Sequence, residues 1–128
     1  MRLSVIFWFF LALFGLALVF VFTPHYGGGG KARCWAAHAD IHGGITSAIN
    51  QYFKDNGSYP GIFQDLVQQP TTATHWQGPY FESTNLPVDP WGNLYIYEYP
   101  GKHGTYDLIS AGPDGKPGTE DDIVNWTK

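Results

Sequence analysis

The sequence predicts a small α+β domain carried on an apolar amino-terminal segment, and three observations support this fold class. Apolar residues recur at helical spacing from Lys31 to Lys54, short segments of alternating aromatic and branched residues lie near the carboxyl end, and turns rich in Gly and Pro separate them. Because two strands alone are only marginally stable, we expect three antiparallel strands to pack one face against the helix.

The amino-terminal segment is apolar enough to cross a membrane. Leu3 to Phe22 carries no charge, and at about 1.5 Å per residue it spans roughly the 30 Å of a bilayer core. A single transmembrane helix is therefore predicted, and a cleavable secretory signal is the alternative. Pro24 and the run Gly27 to Gly30 should loosen the helix that follows. We therefore divide the chain into an anchor and hinge, residues 1–30, and a head domain, residues 31–128.

The composition argues against one class of binding partner and indicates the environment of the domain. The chain of 128 residues has a net charge of −4 and no basic cluster, which argues against binding to nucleic acid. Its single cysteine, Cys34, cannot form an internal disulfide. High Gly and aromatic content with 14% charged residues indicates a compact extracytoplasmic domain, in which a bound metal could replace the missing covalent link.

The predicted helix carries one apolar face and one polar stripe. The residues expected to face the core are Ala37, Ile41, Ile45, Ala48, Ile49, Tyr52 and Phe53, with a stop at Asp55-Asn56-Gly57. Gly43 and Gly44 should weaken the middle of the helix. Cys34, His38 and His42 are four residues apart and could bind zinc, but no fourth ligand is near in sequence, so we favour a packed or solvated stripe.

The rest of the chain predicts one short helix, a connection and a sheet. Ile62 to Gln69 could form a helix with Ile62, Phe63, Leu66 and Val67 turned inward. Thr71 to Pro90 is irregular but too apolar for a free linker, so it should cover the core. The predicted strands are Leu94 to Tyr99, Thr105 to Ala111 and Ile123 to Trp126, with a hairpin connection at Pro100 to Gly104.

Four carboxylates occupy the connection before the last strand. They are Asp114, Glu120, Asp121 and Asp122. The surrounding Gly and Pro residues prevent a helix or a strand from running through this segment, so it must be a loop. Clustered carboxylates repel one another unless they are solvated or bridged by a hard cation, for which calcium is the best fit. The spacing is not that of an EF-hand. A calcium site and a solvated acidic turn both remain open from the spacing alone.

Five consecutive motifs cover most of residues 31–128. They are KDNGSYP (54–60), W-x-GPY (76–80), LPVDPWGNLYIY (86–97), HGTYDLISAGPDG (103–115) and DDIVNW (121–126). Together these motifs resemble the major (G-type) pseudopilins of type II secretion systems, members of the type IV pilin-like family. The resemblance implies a pilin-like fold, in which a long amino-terminal helix, spanning the membrane with its first half, packs on a small β head.

The family resemblance also implies a calcium site, an assembly and a location. Its ligands would be loop carboxylates and backbone carbonyls. They correspond to Asp114 and Asp122, with Asp121 and the carbonyls from Ile109 to Gly112, including that of Ser110, as further candidates. The implied protein is a structural subunit and not an enzyme. It is anchored in the inner membrane with a periplasmic head, and it assembles with copies of itself, other pseudopilins and inner-membrane secretion components into a filament that drives export.

The amino terminus departs from the family pattern, since no Glu occurs between Met1 and Phe81 and no basic leader ending in Gly precedes the apolar segment.

A second hypothesis is a membrane-anchored binding module or a type IV pilus-like subunit. The binding module would use an aromatic platform, whose members would be Trp76, Tyr80, Trp91, Tyr95, Tyr97 and Tyr99. We regard these aromatics as core and sheet residues instead. A carboxylate hydrolase is disfavoured because no apolar pocket is evident around Glu120.

Overall fold

The computed structural model describes residues 29–128. The predicted membrane segment from Leu3 to Phe22 lies outside these residues, as does the beginning of the hinge. Within the described part of the chain, no helix is both long enough and apolar enough to cross a bilayer.

A nearly continuous helix forms the first layer of the head. It consists of α1 (Gly29–Ala39), a π-helical turn (Asp40–Ile45) and α2 (Thr46–Asn56). Gly29 and Gly30, the last two residues of the predicted hinge, are helical. The helix ends as predicted, because Gly57 adopts a φ of 71° that favours glycine and donates its N–H to the carbonyl of Phe53 at 2.8 Å.

The predicted weak point of the helix is its π-helical turn, which contains Gly43 and Gly44. Thr46 Oγ1 donates to the carbonyl oxygen of Ile41, five residues earlier, at 2.5 Å. The wider turn keeps Ile41 and Ile45 buried on the core side.

The core-facing helix residues are those that the spacing predicts, with one exception. The buried ones are Ala37, Ile41, Ile45, Ala48, Ile49 and Tyr52. Phe53 is 41% exposed and stacks on Tyr59 instead, so its assignment to the core was wrong.

The second layer is a three-stranded antiparallel sheet in the order β1-β2-β3. Its strands are β1 (Ile96–Glu98), β2 (Asp107–Ser110) and β3 (Ile123–Val124), each shorter than predicted. Ile96 lies opposite Ile109, which lies opposite Val124. Since side chains alternate between the faces of a strand, these three share the outer face, and Tyr97, Leu108 and Ile123 face the helix.

Two tyrosine hydroxyls tie the sheet layer to the helix at its π-helical turn. Tyr95 donates to Asp40 Oδ2 at 2.7 Å, and Tyr106 donates to Thr46 Oγ1 at 3.3 Å. Burial beside the Asp40 carboxylate raises the pKa of Tyr95 well above its usual value of 10.0, so the hydroxyl stays a donor.

The connection between helix and sheet covers the core as predicted. It contains one short 3₁₀ helix, Phe63–Leu66, with both named residues buried. Ile62 is 62% exposed, so its predicted inward orientation was wrong: it precedes the first helical turn in an extended conformation. Trp76 packs on the core and donates its indole N–H to the carbonyl of Asp65 at 2.8 Å.

Candidate functional site

The acidic loop, defined here as Gly112–Asp122, joins the two last strands of the sheet. Gly112 opens it with a φ of 64°, and a Cβ atom there would lie 2.5 Å from the carbonyl oxygen of Asp121. The two ends of the loop therefore approach each other so closely that only glycine fits at the start.

Three of the four carboxylates, those of Asp114, Asp121 and Asp122, accept hydrogen bonds from within the loop. Asp121 Oδ2 accepts the backbone N–H of Asp114 at 3.1 Å, and its Oδ1 accepts the hydroxyl of Thr119 at 2.5 Å. The hydrogen bond from Thr119 lowers the pKa of Asp121, and the Asp114 N–H adds to this. Asp114 is exposed and accepts the N–H of Lys116 at 2.8 Å. The loop is thus folded around ionised carboxylates.

Asp122 differs from the other loop acids because one of its oxygens is buried without a partner. Its Oδ2 accepts the N–H of Gly118 at 2.6 Å. Its Oδ1 is shielded from solvent and has no hydrogen-bond partner. A buried carboxylate oxygen without a donor is costly, so this atom is where a cation would be most favourable.

Ser110, the remaining predicted ligand, lies at the base of the acidic loop and is fully buried. Its hydroxyl donates to Asp89 Oδ2 at 2.7 Å and accepts the N–H of Gly112 at 3.3 Å. Asn93 links the same two regions, because its side-chain amide donates to Asp89 Oδ2 at 3.3 Å and to the Gly112 carbonyl at 3.1 Å. The Ser110 hydroxyl is therefore engaged in fixing the start of the loop.

Asp89 is a structural residue whose role the sequence analysis did not identify. It is 2% exposed, and its Oδ1 accepts the N–H groups of Trp91 and Asn93 at 3.0 and 2.8 Å. The Asp-Pro-Trp-Gly-Asn turn signal was the available indication, because Asp at the first position of such turns bonds to the backbone two residues on.

The oxygen atoms of the acidic loop could hold a calcium ion only if backbone carbonyls or water complete its coordination. Within residues 29–128, no three His, Cys, Asp or Glu side chains converge on one point. Calcium takes six to eight oxygens and readily accepts backbone carbonyls and water, so the unpaired oxygen of Asp122 in a glycine-rich loop suits it.

A second aspartate, Asp107 at the start of β2, organises the β1–β2 connection. The sequence analysis did not identify this role. Asp107 is 1% exposed and accepts the backbone N–H groups of Lys102 and His103 at 3.0 and 3.1 Å. Its Oδ2 lies 2.8 Å from His103 Nδ1, and the His103 ring stacks on Trp126 at 4.1 Å. Burial raises the pKa of Asp107, but the hydrogen bonds from His103 and Lys102 outweigh it, and the net pKa is lowered.

Residues 26–126 match the family model described as type II secretion system (T2SS), protein G. The chain belongs to this family. The match covers the helix, the sheet and the acidic loop together, and it confirms the resemblance carried by the sequence motifs.

Curated relatives agree with this assignment. Type II secretion system core protein G of Escherichia coli (strain K12) is 47% identical over 89 residues, 64% of this chain and 60% of the relative. The protein of the same name from Aeromonas hydrophila is 37% identical over 123 residues, 91% of this chain and 84% of the relative. The chain thus spans about 60% of the length of the Escherichia coli relative.

A solved structure confirms the pilin-like fold. The crystal structure of the major pseudopilin from the type 2 secretion system of enterohaemorrhagic Escherichia coli superposes with a TM-score of 0.64 at 36% sequence identity. The superposition covers 76% of this chain and 85% of that one. The long helix packed on a three-stranded antiparallel sheet is therefore that of a major pseudopilin.

The structure also places the residues of the two alternative sites. Cys34, His38 and His42 are all exposed on the helix, with the two imidazole rings stacked at 5.8 Å. Tyr95 is buried, and Trp76, Tyr80, Trp91 and Tyr97 pack against the core. Of the proposed aromatic platform, only Tyr99, 42% exposed, presents a large surface to solvent, so these residues form no binding platform.

Proposed function

We propose that this chain is a filament-forming subunit of a type II secretion system. Leu3 to Phe22 anchors it in the inner membrane, and the head described above lies in the periplasm. Copies assemble with one another, with other pseudopilins and with inner-membrane secretion components, and the filament drives protein export. Its role is structural and not enzymatic. The observation that carries this proposal is the match of residues 26–126 to the protein G family, supported by the fold of the head.

We also propose that calcium stabilises the acidic loop. The unpaired Oδ1 of Asp122 is the principal ligand, backbone carbonyls and water complete the coordination, and Asp114 and Asp121 add negative charge around the ion. Ser110 supports the site by fixing Gly112. The ion supplies positive charge that offsets the mutual repulsion of the carboxylates. Because β3 is only two residues long and follows the loop directly, a fixed loop holds the last strand in register.

Filament formation is tested by electron microscopy of membranes from cells that produce the full chain together with secretion components of a protein G-type system. Filaments that a head-specific antibody decorates are the expected result. A chain truncated before Lys31 is the control and should give none, because it lacks the predicted anchor. Dispersed single particles from the full chain at the same expression level would overturn the proposal.

The calcium proposal is tested by thermal unfolding of the full chain in detergent. Extracellular calcium modules bind at about 0.1 to 1 mM, so the titration extends to several millimolar. We expect calcium to raise the midpoint temperature and an equal concentration of magnesium to raise it less, since magnesium gives up its water reluctantly. Identical midpoints with calcium and with chelator would exclude the site.

A further inference from the structure

The outer face of the sheet is more apolar than a solvated sheet face should be. An antiparallel sheet that packs on one side ordinarily presents polar side chains on the other. Here Leu94 is 60% exposed, and Val88, bridged to it, is 52% exposed. Ile96 and Ile109 continue this apolar face across the adjacent strands. A contiguous exposed apolar surface of this kind marks an interaction site.

This face ends in an open groove of about 740 Å³ that we call the sheet groove. Ile109, Val124 and Trp126 supply its apolar surface. Its charged lining residues are Glu98, Asp107, Glu120, Asp122, Lys102 and Lys128. Both lysines are engaged within the molecule, because Lys102 pairs with Glu98 at 3.2 Å and Lys128 donates to the Asp122 carbonyl at 2.7 Å. Of the four carboxylates, Asp107 is buried against His103 and Glu98 is paired with Lys102, which leaves Glu120 and Asp122 against Lys128. The groove therefore favours a partner that is both apolar and basic.

The opposite layer of the same molecule presents a surface of that kind. Four exposed residues on one face of the helix form what we call the helix stripe: Lys31, Trp35, His38 and His42. Trp35 is 75% exposed, the largest exposed fraction among the large apolar side chains of residues 29–128. No acidic residue occurs in α1, which carries Lys31 and Arg33. The stripe thus combines a lysine and two imidazoles with an exposed tryptophan, on a helix whose Ala37 and Ile41 are buried in the core.

We propose that the sheet groove of one copy receives the helix stripe of a second copy. Trp35 packs on the apolar surface beside Trp126, and Lys31 faces Glu120. Glu120 is exposed and is not among the proposed calcium ligands, so this acidic partner persists with the ion bound. Because the two surfaces are different and lie in opposite layers of the head, the contact is head-to-tail, and such contacts propagate into open filaments unless their rotation closes a ring.

This inference rests on the proposed filament function, since it names the surfaces through which copies would meet. The native Cys34 permits a direct test, because it is exposed and lines one surface depression with Trp35 and His38. Lys102→Cys adds a second thiol at the sheet groove without altering the acidic loop. A short bismaleimide applied to membranes containing the full chain should join Cys34 of one copy to the new cysteine of the next.

The expected result is a ladder of dimers, trimers and larger products, since each copy carries both reactive positions. Wild-type chain, with Cys34 alone, can give no product larger than a dimer. The matched control combines Cys34 with Ser58→Cys, an exposed position that belongs to neither surface. A ladder no stronger for Lys102→Cys than for Ser58→Cys overturns the contact.

A second variant tests the contribution of the aromatic side chain. In the Lys102→Cys background, Trp35→Ala should reduce the ladder about tenfold or more, since a tryptophan at the centre of an interface commonly supplies much of its binding energy. Phe53→Ala is the control, because Phe53 is an exposed helix aromatic outside the stripe. Equal losses for both variants contradict the proposal.

Electron microscopy of the same membranes separates the two proposals. Filaments without a specific ladder overturn the contact and leave the filament function standing. A specific ladder without filaments supports the contact and overturns the filament function. The absence of both overturns both.

Discussion

The two connections of the sheet are each organised by an aspartate, but only one of these aspartates is fully satisfied. In the β1–β2 connection, Asp107 accepts two backbone N–H groups and contacts the His103 imidazole. In the acidic loop, Asp122 has one oxygen bonded to Gly118 and the other buried without a partner. The first connection can hold its shape alone, whereas the second leaves a buried negative charge for a ligand to neutralise. We therefore expect the two sites to respond differently to mutation, acid and calcium.

The largest effect is expected at the satisfied site. Asp107→Ala leaves two backbone donors and the His103 ring without their acceptor in a buried position. The free energy of unfolding should fall by about 3 kcal/mol with or without calcium, as measured by urea denaturation. Glu98→Gln, on the same sheet face, is the control and should change little. A loss that calcium restores would contradict the contrast between the two connections.

Lowering the pH should reduce the stability that Asp107 contributes, but by less than Asp107→Ala does. The pKa of Asp107 is lowered from the usual 3.8, so its contribution to stability is fully present above pH 3.8 and is lost as pH falls through the folded-state pKa. The loss is smaller than for Asp107→Ala because the protonated carboxyl keeps its volume and an acceptor oxygen. Unfolding curves between pH 7 and pH 2 should show a difference between wild type and Asp107→Asn that narrows below pH 3.8. A constant difference would refute this.

The unsatisfied site should respond mainly through calcium. Without the ion, Asp122→Asn removes an unpaired buried charge while keeping an acceptor for Gly118, so stability should stay the same or rise. With calcium at about ten times its Kd, wild type should gain about 1.4 kcal/mol and the variant almost nothing. Thermal unfolding of the full chain measures both, with Glu120→Gln as the control in the same loop. A variant destabilised equally under both conditions would show that Asp122 needs no ion.

The smallest effect is expected at the ion pair that joins Glu98, at the end of β1, to Lys102 in the β1–β2 connection. Lys102 and Glu98 lie 3.2 Å apart, with side chains 74% and 42% exposed. Lys102→Met should change the free energy of unfolding by less than about 0.5 kcal/mol, because exposed pairs are screened by water and salt. Urea denaturation at low and high salt checks this, and a loss above 1 kcal/mol at either would indicate an unrecognised role for Lys102.

The sequence predicted those parts of the fold that depend on local chemistry. The helical face from Ala37 to Tyr52, the stop at Gly57 and the strand order follow from spacing and from turn residues. The inward orientation of Ile62 failed because an apolar residue just before a helical turn shares the spacing of the core without sharing its direction. The predicted strand ends were also wrong, because the end of a strand depends on which residues of the neighbouring strand pair with it, and the spacing does not specify these.

The candidate site was only partly predictable for the same reason. Four clustered carboxylates are visible in the sequence, but the orphaned oxygen of Asp122 depends on how the loop closes. Asp107 looked like an ordinary strand residue, although its partner His103 is only four residues away. Ser110 was predicted as a candidate through the backbone carbonyls of its stretch, and its hydroxyl was given no role. That hydroxyl bonds to Asp89, 21 residues earlier, a contact that only the folded sheet creates.

The π-helical turn at Asp40–Ile45 has a geometric consequence for the whole head. A π-helical turn contains one more residue than an α-helical turn. Side chains that follow it are therefore rotated about the helix axis by about 100° relative to those that precede it. Positions in α1 and α2 therefore cannot be placed on a single helical wheel. The phase shift sets the direction in which Trp35 leaves the axis relative to the buried Tyr52.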